Sequence, residues 1–295
     1  MNLGRAKSIL IIAFAGLNLF LGYHLFWPDF GRMTRVAVTA EDLQATEVML
    51  SENNYFLQTT LSRSVHVSDF LTVEPARSFQ GEVLQEFIKK GAHVVESDNA
   101  TAYRADNETA VVYSSGLIRV IYEPGVRLVE DAAGIEAHRL TELVDNFIEE
   151  EKLMPEGAVF DYMEKSDAGF INFNYYQVYQ EMPIYAGQLK VILEAGEVNI
   201  IEIYWLNPVD RLPLREMKVI SAAEALQNLV DRLGPSPVPR DIEAIKLGYF
   251  SGEYDAEKWE IPPVWRIELD GNDRHYINAF TGNIEQDTII PEQLP

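Results

Sequence analysis

The chain has 295 residues, a formal net charge of −22 and no cysteine. The acidity argues against a nucleic-acid partner, because binding to a phosphate backbone needs a basic surface. Without cysteine the chain has no disulfides, no thiolate metal sites and no cysteine nucleophile.

An uncharged apolar run of 19 residues spans residues 9–27. As an α-helix it would be roughly 28 Å long, close to the ~30 Å hydrocarbon core of a bilayer. Arg5 and Lys7 precede it, whereas Tyr23 and Trp27 stand at its far end, where aromatic rings favour the interface. A cleaved signal peptide is the alternative, but the bulky end of the run does not resemble a small-residue cleavage site.

We therefore predict a single-pass signal anchor at residues 9–27 in the cell membrane. By the positive-inside rule, residues 1–8 are cytoplasmic and the C-terminal part is extracytoplasmic. Arg5 and Lys7 are the only charged residues before residue 28, so the total of −22 leaves −24 for the external part. Such an acidic surface keeps an exported domain soluble.

One face of the predicted anchor carries small and polar residues. Ala15, Asn18 and Gly22 are spaced i, i+3 and i+7 and so share one side of a helix. Small residues let a second helix approach closely, and an amide in lipid seeks a hydrogen-bonding partner. We interpret these three residues as a contact face for a partner helix; the alternative is that Asn18 is merely tolerated there.

The remaining residues predict an α+β ectodomain in which a helix is followed by antiparallel strands about four times. These helices begin near residues 41, 82, 135 and 221, and Thr39 and Ser221 are hydroxyl caps at the first and last of them. We expect repeated helix-plus-sheet units, arranged as a stalk at residues 28–40, a first unit at residues 41–127 and a second unit at residues 128–295.

Tyrosines cluster around one predicted turn of the second unit. Residues 170–180 alternate between apolar and polar side chains, as in a strand with one buried face. Two interpretations remain open for the cluster: cross-strand packing in the core, or an exposed surface that binds a peptide or partner. The cluster comprises Tyr175, Tyr176, Tyr179 and Tyr185.

Motifs for catalysis or cofactor binding are missing from the sequence. The five histidines form no H-x-x-x-H or H-E-x-x-H pattern, and no G-x-S-x-G elbow or phosphate-binding glycine loop occurs. Residues 270–273, Asp-Gly-Asn-Asp, resemble half a calcium loop but are better explained as a hairpin turn. We predict no catalytic, cofactor-binding or metal-ligating residue, although a wall hydrolase using two carboxylates remains a distant alternative.

Two segments resemble the YycI (WalI) family. The first is the N-terminus from Arg5 to Gly22, and the second is the central segment at residues 175–187, Tyr-Tyr-Gln-Val-Tyr-Gln-Glu-Met-Pro-Ile-Tyr-Ala-Gly. The central segment also looks like the strand-turn signature of PepSY-type domains. The order of residues 220–226, 264–267 and 276–282 is PepSY-like as well.

The resemblance implies a function that composition does not. Proteins similar to YycI are membrane-anchored, non-enzymatic accessory regulators of a sensor histidine kinase, YycG (WalK), which controls cell-wall metabolism in Gram-positive bacteria. They act with a sister protein, YycH, through contacts between transmembrane helices. The PepSY likeness implies an alternative, a peptide-binding or protease-inhibiting protein. Whether the chain associates with a second copy of itself is left open.

Overall fold

The computed structural model describes residues 38–63, 67–130, 132, 134–166, 168–209, 217–252 and 256–285, together with Phe14. Apart from Phe14, the predicted anchor at residues 9–27 lies outside this part of the chain, as do residues 1–8 and most of the stalk. No helix among the described residues is long and apolar enough to cross a membrane.

Two of the helices begin at capping boxes. The Thr39 hydroxyl accepts a hydrogen bond from the backbone N–H of Asp42, and the Asp42 carboxylate accepts one from the backbone N–H of Thr39. Ser221 and Glu224 form the same reciprocal pair. Each box satisfies N–H groups that the first turn of a helix leaves without partners. The helices are α1 (Ala40–Glu52), α2 (Arg77–Lys89), α3 (Ala137–Glu150) and α4 (Ala222–Leu233).

Eighteen strands are found in the described residues, and thirteen of them form one sheet. The strands are β1 (Tyr55–Leu57), β2 (Val67–Ser68), β3 (Leu71–Pro75), β4 (His93–Glu96), β5 (Ala100–Ala105), β6 (Glu108–Tyr113), β7 (Ile118–Arg127), β8 (Ala158–Lys165), β9 (Phe170–Tyr179), β10 (Met182–Glu194), β11 (Glu197–Tyr204), β12 (Leu206–Pro208), β13 (Met217–Lys218), β14 (Arg240–Tyr249), β15 (Trp259–Ile261), β16 (Pro263–Leu269), β17 (Asp273–Asn278) and β18 (Ile284–Glu285).

Helix followed by antiparallel strands occurs three times in this sheet. The helix α2 leads into β4–β7, α3 leads into β8–β11, and α4 leads into β14, β16, β17 and β18, with neighbouring strands antiparallel within each set. The fourth predicted case, at α1, is different because β1 pairs in parallel with β14 rather than with a strand that follows it directly. The α+β class is confirmed, whereas the PepSY likeness of the units stays a prediction.

The sheet runs through the predicted boundary at residue 127. Strand β7, from the first predicted unit, pairs antiparallel with β11, from the second, and residues Glu123 to Gly125 lie inside β7 at a register shift. From Val38 onward the described residues form one compact unit. The sheet continues from β10 to β14 through the parallel pair Ile184 and Tyr249.

Two apolar cores lie on the helix-covered parts of the sheet. The larger core packs α2 and α3 on strands β5–β11, and Leu140, Val144 and Phe173 in it are buried. The second packs α4 on β14, β16 and β17, around Leu226 and Ile267. The periodic apolar residues of the helices and the alternating ones of the strands supply both cores, as the sequence predicts.

The second core also contains α1 and β1, which lie closest in sequence to the predicted anchor. Leu50 of α1 and Tyr55 of β1 are buried together with Leu226 of α4 and Ile242 of β14. Thr46 of α1 lies fully buried, and its hydroxyl accepts a hydrogen bond from the Gln227 side chain. The segment closest in sequence to the predicted anchor therefore packs with the C-terminal part of the chain.

Candidate functional site

The predicted membrane contact face lies outside the described residues. Ala15, Asn18 and Gly22 therefore remain sequence-based predictions. The other predicted surface, the tyrosine cluster, falls on β9 and β10 and can be placed.

The tyrosine cluster is not one exposed surface. Tyr175 and Tyr185 are only 3% and 2% exposed, so these two side chains pack inside the protein, as the first interpretation of the cluster expects, and a partner-binding role of the cluster stays a prediction. Tyr176 and Tyr179 are partly exposed. The physical reason is the strand itself: Tyr175 lies on the face of β9 that packs under the helices, and its neighbour Tyr176 lies on the opposite face.

Tyr175 joins the sheet to α3. Its hydroxyl donates a hydrogen bond to the Asp145 carboxylate, with 2.6 Å between the oxygens. Burial, followed by this bond to a carboxylate, raises the pKa of Tyr175 well above its ordinary value. The phenol therefore stays protonated and serves as a fixed donor in the larger core.

Tyr185 belongs to an aromatic group on the helix-free face of the sheet. Its ring lies 5.4 Å from that of Tyr176 and 5.6 Å from that of Tyr276. Tyr276 in turn stacks on Phe250 at 4.0 Å with nearly parallel planes. These rings come from β9, β10, the end of β14 and β17, so the group brings together strands from both parts of the sheet.

A buried arginine lies at the centre of this group. Arg266 of β16 is 1% exposed, and its guanidinium carbon lies 4.6 Å from the centroid of the Tyr185 ring. The guanidinium donates to Asp161 of β8 at 2.7 Å and pairs with Glu268 at 3.1 Å. We call Asp161, Tyr176, Tyr185, Arg266, Glu268 and Tyr276 the arginine–tyrosine junction.

The charge of Arg266 is held by its neighbours. Burial disfavours the charged guanidinium, but the hydrogen bond to Asp161 and the nearby negative charges outweigh it, so the pKa of Arg266 is raised above its ordinary value. A cation over an aromatic face and against a carboxylate is stabilised by both. Two buried polar atoms of the junction, Arg266 Nε and Tyr185 Oη, have no hydrogen-bond partner among the described residues.

A second contact between an arginine and a tyrosine joins β8 to β17. Arg274 of β17 lies over the ring of Tyr162 of β8, with 3.4 Å between the guanidinium carbon and the ring centroid. Together with Asp161 and Arg266, this contact ties β8 to β16 and β17 through side chains on their helix-free faces. These contacts hold β8 against β16 and β17. Their role is to position the strands rather than to perform chemistry.

Sequence reasoning missed the junction because its members are far apart in the chain. Asp161 and Arg266 are separated by 105 residues. One signal was available: Arg266 is the only charged residue in the run from Pro263 to Ile267, whose other members are apolar and buried. A charge inside a strand buried on both faces needs a partner, so the pattern indicates a buried ion pair.

The carboxylates of the predicted turn at residues 270–273 bind an arginine. Asp270 and Asp273 both accept hydrogen bonds from Arg240 of β14, and the turn joins β16 to β17 as a hairpin. The hairpin interpretation is confirmed. Within the described ranges, no group of three or more His, Asp or Glu side chains is arranged to hold a metal ion.

Comparison with known families decides which proteins this chain is related to. The model of the family described as YycI protein matches residues 34–280, most of the chain. The chain belongs to the YycI family. Membership implies a regulator of the YycG/WalK two-component system that is associated with its histidine kinase.

The fold of this YycI-family chain also occurs in a solved structure. It is similar to the crystal structure of an uncharacterized protein from Eubacterium rectale ATCC 33656, at 12% identity and a TM-score of 0.50. The match covers 79% of this chain and 91% of that one, and at this identity it shows a shared fold alone. The search of curated proteins found no match.

Proposed function

We propose that the chain is a non-enzymatic, membrane-anchored regulator that biases a YycG/WalK-type histidine kinase through contacts between transmembrane helices. The observation that carries the proposal is the family match over residues 34–280. The predicted anchor supplies the contact face at Ala15, Asn18 and Gly22, and a YycH-like membrane protein is the second partner. In this arrangement residues 1–8 are cytoplasmic and the ectodomain is extracytoplasmic.

A partner helix changes the activity of the kinase only if it binds one arrangement of the kinase helices better than another. A differential of ~1–3 kcal/mol changes the ratio of the two arrangements by roughly 5–150-fold. Asn18 is the residue best suited to such discrimination, because a side-chain amide in lipid gains most where a hydrogen-bonding partner is placed correctly. Gly22 and Ala15 let the partner backbone come close enough for that bond.

The packing of α1 supports a role for the ectodomain as well. The predicted stalk leads into α1, and α1 is held by the capping box at Thr39 and by its burial against α4. A ligand or partner that shifts the C-terminal core would therefore act on the helix closest in sequence to the predicted anchor. This connection provides a route by which an external event reaches the membrane contacts.

The test is capture of the kinase from detergent-solubilised membranes. The full chain is compared with a chain in which residues 9–27 are replaced by an unrelated membrane helix. If only the chain with the native anchor captures the kinase, the proposal is supported. If both chains capture the kinase equally, the ectodomain recognises it instead. Capture by neither would refute the proposal.

Point variants sharpen this test. Asn18→Leu with Gly22→Leu should change the output of cell-wall reporters while leaving the ectodomain folded. Phe20→Leu is the matched control, because at 3.6 residues per turn Phe20 lies on the opposite side of the predicted helix. Equal reporter output from the double variant and the control would count against the membrane face.

A peptide-binding or protease-inhibiting protein remains the alternative. The burial of Tyr175 and Tyr185 removes two of the four side chains on which a tyrosine-lined peptide surface was predicted. Tyr176 and Tyr179 remain partly accessible. The alternative gains support if the full chain that fails to capture a kinase binds peptides, and it loses its basis if no peptide binding is detected.

A further inference from the structure

The strand β4 ends the large sheet and leaves one edge open. It pairs with β5 only, in the register Val94–Tyr103 and Val95–Ala102, and all four of its residues are exposed. These statements hold for the part of the chain that the structure describes. Natural sheets usually protect such an edge with Lys, Pro or a bulge in the strand, because unpaired backbone groups recruit other strands. The sequence His93-Val-Val-Glu96 contains none of these.

Exposed apolar side chains occur on the edge strand and in the last turn of the helix that precedes it. Val94 and Val95 are 50% and 61% exposed, and Ile88 in the last turn of α2 is 57% exposed. Val95 and Val94 point to opposite faces of the sheet, so each face of the edge strand carries one exposed valine. Two carboxylates on α2 and β6 are paired with lysines, Glu86 with Lys89 at 2.7 Å and Glu108 with Lys90 at 2.6 Å.

The hydrogen bonds of the hairpin determine which backbone groups are free. The Ser97 N–H donates to the Ala100 carbonyl, so residues 97 and 100 form a hydrogen-bonded pair at the turn. Hydrogen-bonded pairs alternate along an antiparallel ladder, so Val95 and His93 also direct their backbone groups toward β5. Val94 and Glu96 therefore direct their N–H and C=O groups away from the sheet.

We infer that β4 pairs antiparallel with β4 of a second copy of this chain, with the twofold axis at Val95. In this register Val94 of each copy lies opposite Glu96 of the other, and all the outward N–H and C=O groups of these two residues are used. Val95 then packs against Val95 of the other copy, and no like charges are opposed. The inference does not depend on the proposed kinase contact.

Two neighbouring registers of this strand pairing are less favourable than the one centred on Val95. A shift that places Glu96 opposite its own copy brings two carboxylates face to face, which is unfavourable. A shift that centres the pair on Val94 relies on Ala92, whose N–H already donates to the Phe87 carbonyl at the end of α2. The register centred on Val95 avoids both problems, which makes a second copy a well-matched occupant of this edge.

Cross-linking of the full chain tests the pairing and its register. The natural chain has no cysteine, so single cysteines can be introduced without further change. Val95→Cys places two thiols opposite each other at a non-hydrogen-bonded pair, where the Cα atoms lie about 4.5 Å apart, within the range that a disulfide accepts. We expect a covalent dimer on mild oxidation of the purified protein in detergent.

Controls separate pairing from random collision. Val238→Cys is also at an exposed valine, 56% accessible, in the loop before β14, and should give only the background level of dimer. Mixing Val94→Cys chains with Glu96→Cys chains should give a covalent heterodimer, since these two positions are opposed. The proposal is overturned if Val95→Cys forms no more dimer than Val238→Cys.

A backbone variant checks that the contact is a strand pairing. Val94→Pro removes an N–H that faces away from β5, so the hairpin keeps its own hydrogen bonds while the contact between copies loses two. Combined with Val95→Cys, it should abolish the covalent dimer. An unchanged amount of dimer would overturn the proposed edge pairing, and circular dichroism matching that of Val95→Cys alone verifies the fold.

Discussion

The side-chain amide of Asn54 donates a hydrogen bond to the backbone carbonyl of Ser236, 2.8 Å away and 182 residues later in the chain. In return, the Ser236 N–H donates to the carbonyl of Asn53. Tyr55, the next residue, begins β1 and pairs in parallel with Arg240 of β14. The connection between α1 and β1 is thus held by β14 and by the loop that precedes it.

Because α1 is part of the second core, we predict that a destabilising substitution in α1 also destabilises α4 and the strands packed with it. Leu50→Ala and Leu140→Ala remove leucines that are both 1% exposed, one from each core, and each should cost about 2–5 kcal/mol. Hydrogen exchange should show that Leu50→Ala deprotects α4, β14 and β16, whereas Leu140→Ala deprotects α3 and β5–β7. Identical exchange patterns for the two variants would contradict the separation of the cores.

From the arginine–tyrosine junction we predict that removing the charge of Arg266 strongly lowers the free energy of unfolding. Arg266→Ala leaves the carboxylates of Asp161 and Glu268 near a buried site without their cation, and removing one partner of a buried pair typically costs about 3–5 kcal/mol. Lys246→Ala is the matched control, because Lys246 is the register partner of Arg266 on β14 and is exposed. Urea denaturation of both variants measures the difference, and similar losses would argue against the junction.

Local signals in the sequence predicted much of the fold. The capping residues Thr39 and Ser221 predicted the starts of α1 and α4, because a cap is encoded within four residues. The alternation of Ile171, Phe173 and Tyr175 predicted the buried face of β9, because this pattern too is encoded by residues close together in the chain. Of the predicted tyrosine cluster, Tyr176 and Tyr185 do meet, at the arginine–tyrosine junction, and a partner-binding role of the cluster stays a prediction.

The failures of prediction occur where the pattern is weak or the contact is distant. Strand β8 was missed because, among the described strands, it pairs with β9 alone, and because Val159 and Phe160 are both exposed, so its burial does not alternate. The start of α2 was predicted five residues late, because Ala76 provides no side-chain cap and Gly81 resembles a break. Pairing of β1 with β14 depends on residues far apart in the chain, which local patterns do not encode.

Hydrogen bonds and ion pairs of solvent-accessible carboxylates predict how stability changes with acid. The hydrogen bond from Arg240 lowers the pKa of Asp270 below its ordinary value of 3.8, and the bonds from Thr39 and Lys89 do the same for Asp42 and Glu86. A carboxylate with a lowered folded-state pKa stabilises the protein above its unfolded-state pKa. That contribution is lost as the pH falls through the folded-state value.

For Asp270 we therefore expect the wild type and Asp270→Asn to differ most near neutral pH. Their unfolding midpoints should converge as the pH drops below about 4. Arg240→Met should converge with the wild type in the same way, because the lowered pKa of Asp270 depends on Arg240. Thermal unfolding between about pH 7 and pH 3 measures all three proteins, and a constant difference across that range would contradict the expected role of this pair.

Two glycines are expected to respond in opposite directions to alanine. A Cβ at Gly187 would lie 2.3 Å from Oε1 of Gln177, whose amide is buried and donates to the Leu206 carbonyl at 2.7 Å. Alanine there must displace the amide, so we expect Gly187→Ala to cost about 1–3 kcal/mol. A Cβ at Gly81, inside α2, would have no atom within 4 Å.

Gly81→Ala should therefore stabilise the protein by about 0.5–1 kcal/mol, because glycine in a helix interior loses more backbone entropy on folding than alanine does. Denaturation midpoints of the two variants test the pair together, and equal shifts in one direction would contradict the close packing at Gln177. The packing at Gly187 also affects the arginine–tyrosine junction. Gly187 and Gln177 lie where the register of β10 against β9 shifts, and this part of β10 carries Tyr185, whose ring contacts Arg266. Loss of the close approach at Gly187 should weaken that placement as well.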